Sequence, residues 1–168
     1  DLDPRMDARE ADLEPGEEWT GWHRIEKELW PERAKDYTAM TEAERKEYAD
    51  DLLANTKTLY ERTRDMTFTA DQIANGAKGL LDEVATGKVT GEEEYWSRTD
   101  LWDFQANVDG ARVAFDGLKP LLQARGETEL MDQIEAEFTA LQSELDKYKE
   151  GDGFVTYDKL TPDQVKQL

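Results

Sequence analysis

The sequence predicts an all-α fold, an antiparallel helical bundle of about six helices with a seventh just begun, and three observations predict it. Two long segments repeat apolar residues at helical spacing: Leu101, Phe104, Val108, Ala111, Phe115, Leu118 and Leu122, then Met131, Ile134, Phe138, Leu141, Leu145 and Tyr148. Two capping boxes, Thr41-x-x-Glu44 and Thr69-x-x-Gln72, mark helix starts. Strand alternation is weak throughout, with only Phe154 to Tyr157 as a short extended candidate.

The elements follow in order. Asp3-Pro4 reads as an N-cap with Pro at the first helical position, opening a helix that runs to about Leu13 and stops before Pro15-Gly16. A second helix covers Glu18 to Trp30 and ends at Pro31. Thr41 opens a long third helix with Tyr48, Leu52, Leu59 and Met66 at helical spacing, and Thr69 a fourth, through Ile73, Ala77, Leu80, Leu81 and Val84 to Gly87. A polar loop from Lys88 to Arg98 leads to the two periodic segments, which Gly126 and Gly151 close; Pro120 predicts a kink in the first of them. Thr161-Pro162 is a further helix start, close to the last residue, Leu168.

Length and composition narrow the function. The 168 residues suit one domain able to bury a core, and 38% hydrophobic and 10% aromatic residues argue against disorder. Forty Asp and Glu against 21 Lys and Arg give a net charge of −19, which repels nucleic acid and anionic membranes and suits either plain solubility or a cation-collecting surface. There is no Cys, so disulfides, thiolate catalysis and Cys-ligated metals are excluded. The one histidine is His23; neither Ser97 nor Ser143 sits in a nucleophile elbow, and no phosphate loop is present. The chain opens at Asp1 without an initiator Met or signal segment, as expected of a processed protein or a piece of a larger one.

The chemistry concentrates on Gly21-Trp22-His23-Arg24-Ile25-Glu26. His23 and Glu26 are one helical turn apart on one face, where imidazole and carboxylate can grip a cation or simply form an ion pair. Such donors suit zinc, iron, copper or manganese, and carboxylates push toward harder ions such as calcium. Trp22, Ile25 and Leu29 form the neighbouring apolar stripe, expected to face the core. Asp3 reads most simply as a cap, with Asp7 one turn later on the same face. Glu83 stands beside the stripe of Leu80, Leu81 and Val84, either at its edge or paired with something, since an unpaired buried charge would be costly. Glu92, Glu93 and Glu94 read as a solvated run, and Trp102, Phe104 and Phe115 as core.

Several segments together resemble the imelysin-like family, in particular its EfeO-type iron-uptake members. Gly21-x-His23-x-x-Glu26 is similar to the family's G-x-H-x-x-E signature. The resemblance extends to Asp1–Pro4, Asp7–Glu10, Gly76–Val84, Gly91–Glu94, Gly153–Leu160 and, most specifically, Thr99-Asp100-Leu101-Trp102-Asp103-Phe104-Gln105-Ala106-Asn107-Val108. It implies a helical bundle of two related halves, acting in the periplasm or at the cell surface. The implied function is to bind iron, deliver it to a membrane permease and work with a haem peroxidase. The metal site it implies maps onto His23 and Glu26, with Asp7, then Asp3, as the upstream acid and Glu83 as the downstream one. If His23 and Glu83 share an ion, their ligating atoms lie within about 4.4 Å.

Three departures from the family pattern stand out. Arg98 replaces a family histidine before Thr-Asp-Leu-Trp. The family's first helix and most of its last are expected to be lacking from this single 1–168 domain, and the cupredoxin domain that many EfeO proteins carry is not in it. A second chain could supply the missing helices; failing that, the apolar faces of residues 101–122 or 131–148 should stand uncovered. Two other functions compete. An imelysin-type metallopeptidase needs three protein ligands, a base and a peptide cleft, which one histidine does not favour. A helical polysaccharide-binding or structural domain would use the five Trp and six Tyr, most of them at core spacing.

Overall fold

A computed structural model of the chain describes residues 2–35 and 37–168; Asp1, part of the first matching segment, lies outside them. The all-α expectation holds. Seven α-helices and one two-stranded hairpin are present among the described residues, and no helix is long and apolar enough to cross a membrane. The chain divides into two compact units, residues 1–67 and 68–168.

The first unit contains α1 (Asp3–Met6), α2 (Trp22–Leu29) and α3 (Glu42–Arg64), with single 3-10 turns at Glu10–Asp12 and Pro31–Arg33. Both halves of the Thr41/Glu44 capping box are formed, so α3 starts where the sequence places it. α1 is much shorter than predicted. The Arg5 carbonyl accepts from the Thr20 hydroxyl and the Ala8 carbonyl from the Trp19 indole, both at 2.7 Å, which holds the 19–20 segment against the end of α1. Residues 18–20 lie outside any helix, so α2 starts at Trp22 rather than Glu18. Asp3 is no cap: it is the first helical residue, Leu2 holds the cap position, and no side-chain cap bond forms. Leu59 and Met66, predicted on the inner face of α3, are 42% and 53% exposed, whereas Leu52 is buried.

The second unit holds the hydrophobic core. α4 (Ala70–Thr86), α5 (Asp100–Arg125) and α6 (Thr128–Leu145) run antiparallel. Gln105 bonds Gln142 and Arg112 bonds Glu135 across α5 and α6, and Asn107 donates to the Leu80 carbonyl across α4 and α5. Val84, Leu101, Phe104, Val108, Ala111, Phe115, Phe138, Leu145 and Tyr148 form one buried cluster. The two periodic runs are thus read correctly, and Phe104→Ala should cost about 3–5 kcal/mol of stability by chemical denaturation, as buried Phe truncations do.

Gly126 has φ +77°, and its amide and that of Glu127 close the end of α5 on the Leu122 carbonyl. Pro120 lies inside α5, which continues through it to Arg125. Gly151 is not a helix stop: α6 ends at Leu145 and Gly151 turns the hairpin of β1 (Lys149–Glu150) and β2 (Gly153–Phe154). Trp102 is 41% exposed and stacks edge-on against Phe154, so it lies at the core margin rather than within it. The last helix, α7 (Pro162–Val165), is capped by Thr161 as predicted. The inner face of α5 is buried, while α6 leaves an open apolar groove of about 860 Å³ lined by Leu81, Leu130, Ile134, Phe138 and Leu141.

The 88–103 region carries charge into this unit. Lys88 pairs with Glu93 at 2.7 Å, both side chains largely buried, and Glu94 accepts from the Ser97 hydroxyl at 3.2 Å. Only Glu92 of the acidic run is exposed, which corrects the reading of all three as solvated. Asp103 is pushed up to about 6, chiefly by burial and then by the negative charges of Glu93 and Asp100, against the pull of Lys88. A carboxyl raised in the folded state stabilises the fold when protonated, so this contribution is lost as pH climbs from about 4 to about 6. Asp103→Asn should therefore gain about 1–2 kcal/mol at pH 7, discounted for partial exposure, and none at pH 3.5. Urea melts at the two pH values check it.

Candidate metal centre

α2 is built around a buried polar face. His23 is 3% and Glu26 6% exposed, whereas Trp22 and Leu29 are 51% and 64% exposed. The expected orientation, with the apolar stripe inward, is therefore corrected. Two polar groups that bond each other and neighbouring polar groups can be buried on one helix face, and the stripe is then left to the outside. His23 Nδ1 lies 3.3 Å from Glu26 Oε2, and His23 Nε2 lies 3.4 Å from Asp7 Oδ1. One imidazole is thus bracketed by two carboxylates, one buried and one with a 60% exposed side chain.

Gly21 makes this arrangement possible. It precedes α2 at φ +92°, rather than lying inside the helix, and a Cβ there would fall 2.2 Å from the Met6 carbonyl oxygen. The backbone that comes this close belongs to Met6, the residue before Asp7. Asp7 also lines a cleft of about 540 Å³ with Asp3, Asp12, Glu17 and Glu18, tempered by Arg5 and Arg9. Asp3 thus shares a cleft with Asp7, one turn before it.

The other side of α2 is clamped. The Glu28 side chain, 6% exposed, pairs with Arg45 at 3.2 Å and accepts from the Met40 amide and the Tyr37 hydroxyl. Burial alone would raise this carboxyl; those hydrogen bonds and the Arg45 and Arg24 charges bring it below its ordinary value. Burial, reinforced by Glu28, raises Tyr37. The only local sequence signal of this group is the i, i+4 spacing of Arg24 and Glu28.

Glu83 belongs to the second unit and is exposed on α4. Water solvates it, so of the two readings the edge of the stripe holds, and the charge needs no partner there. Arg98, also in the second unit, adopts φ +62°, donates to the Gly91 carbonyl at 3.0 Å and lies 4.7 Å from the centre of the Tyr95 ring.

Geometry decides what the bracketed histidine can hold. Two bonds of about 2.1 Å to one ion, with ligating atoms 3.3 Å apart, enclose an angle of about 104°, close to tetrahedral. Fold and site together define a helical chain with a histidine–carboxylate centre competent for a cation. The Imelysin family model matches residues 1–168, and the chain belongs to this family. It is 40% identical, over its whole length, to an Efem/EfeO family lipoprotein of Staphylococcus haemolyticus, of which it covers 57%. It is 42% identical over 96% of its length to the iron uptake system component EfeO of Escherichia coli O157:H7, covering 42% of it. It is 39% identical, again over its whole length, to the iron uptake system component EfeM of Bacillus subtilis, also covering 42%. The chain thus spans about half the length of these relatives.

Proposed function

We propose that this chain is the metal-capturing helical part of an extracytoplasmic iron-uptake component, which binds iron and hands it to a membrane permease, with a haem peroxidase in the same system. The observation that carries the reading is the bracketed imidazole: the single histidine of the chain, held between Glu26 and Asp7. The names of the relatives, which concern iron uptake, support the choice of metal.

In this reading the ion sits on His23 Nδ1 and Glu26 Oε2. A buried carboxylate beside a neutral ring gains most from a cation. Asp7 accepts the Nε2 proton, fixing the tautomer and ring orientation as carboxylates behind metal-bound histidines do. The acidic cleft at Asp3 and Asp7 draws cations in; zinc, copper or calcium compete for the same donors. Glu83 is exposed, and we propose it as the outlying member of the set, with Glu83→Ala as its test.

Elemental analysis and iron titration of the purified chain test the function. One iron per chain is expected, lost in His23→Ala, with helical content unchanged by circular dichroism. No binding, or binding indifferent to His23, would sink it. A peptide-library assay separates this reading from a metallopeptidase, which would cleave.

A further inference from the structure

α2 carries both His23 and Glu26, yet it has only eight residues, fewer than the roughly 12–15 an isolated helix needs in water. Its position must be fixed by its surroundings. Helical spacing places Arg24 and Glu28 about 150° around the axis from His23 and Glu26. There the Tyr37 hydroxyl accepts from Arg24 at 3.1 Å and donates to Glu28. The Arg24 guanidinium lies 5.7, 5.7 and 5.2 Å from the ring centres of Trp19, Tyr37 and Tyr48. Glu28 is tied in turn to Arg45 of α3. One hydroxyl therefore bridges two residues of α2 that are one turn apart, on the side away from the imidazole.

We infer that Tyr37 is a positioning residue: by bridging Arg24 and Glu28 it fixes the rotation of α2 and so the aim of His23 and Glu26. A turn of about 20° would carry atoms lying about 6 Å from the helix axis through about 2 Å. That is enough to open the 3.3 and 3.4 Å approaches on the imidazole. The use of this clamp in metal capture rests on the function proposed above; its effect on the histidine does not.

The single histidine makes the test direct, because selective ¹⁵N-histidine labelling gives the signals of one imidazole. In the metal-free chain, Tyr37→Phe keeps the ring and removes only the hydroxyl. Its expected effect is to shift or split both imidazole nitrogen signals, with helical content unchanged. Titration with Co²⁺ should then show about tenfold weaker binding and altered visible bands. Lys46→Ala, which removes an exposed ion pair on α3, should move neither readout. Glu28→Gln should reproduce the Tyr37→Phe shifts. Imidazole signals that stay put in folded Tyr37→Phe protein would overturn the inference, as would loss of the fold in both variants, which would make the network purely structural. A wild-type chain that binds no Co²⁺ or iron would instead sink the proposed function, and the imidazole signals alone would decide the role of Tyr37.

Discussion

Gly21→Ala is expected to cost the first unit about 3 kcal/mol or more and to weaken metal binding at the same time. Two causes add. The residue sits at φ +92°, where an L side chain is strained, and the new Cβ would lie 2.2, 2.5 and 2.8 Å from Met6 O, C and Cα. These are backbone atoms and cannot swivel aside as a flexible side chain could. The segment that must give way leads directly into Asp7, whose carboxylate meets His23 two residues beyond Gly21. Stability and binding should therefore fall together, as denaturation and iron titration of the same preparation would show. An alanine variant with an unchanged midpoint would mean that Met6 and Gly21 do not meet as described.

Substituting the two carboxylates should separate their roles. Glu26→Gln keeps shape and buried hydrogen bonding but removes the charge from a direct ligand, and iron affinity should fall more than about 100-fold. Asp7→Asn removes an outer partner and should cost about 10- to 100-fold, the usual range for such positions. Glu83→Ala, on an exposed residue of the second unit, should have the smallest effect of the three. Affinities from competition with a chelator of known strength give the order. A larger loss for Asp7→Asn than for Glu26→Gln would place the ion on Nε2 instead.

The helices were legible wherever a local rule sufficed. The periodic runs of α5 and α6 follow from the 3.6-residue repeat, and the Thr41, Thr69 and Thr161 starts from capping chemistry that spans only three residues. The N-terminal segment departs from its local pattern because its conformation is decided by distant partners. Trp19 and Thr20 take the carbonyls of Ala8 and Arg5, and no local pattern encodes that. The His23/Glu26 pair was visible as a spacing, but its burial was not, since hydropathy assigns the inner face to Trp22 and Leu29. Glu28 and Tyr37 carry no local signal, because their link spans nine residues and joins a helix to a loop. No local pattern names Met6 as the neighbour of Gly21; only the fold does.

The central claim, an iron ion held by His23, is tested most directly by X-ray absorption at the iron edge on the loaded chain. With one histidine per chain, the expected spectrum contains scattering from a single imidazole, with iron–nitrogen and iron–oxygen distances of about 2.0–2.2 Å. That imidazole signal should vanish in His23→Ala protein. A spectrum accounted for by oxygen ligands alone, or one unchanged by His23→Ala, would contradict a site centred on His23.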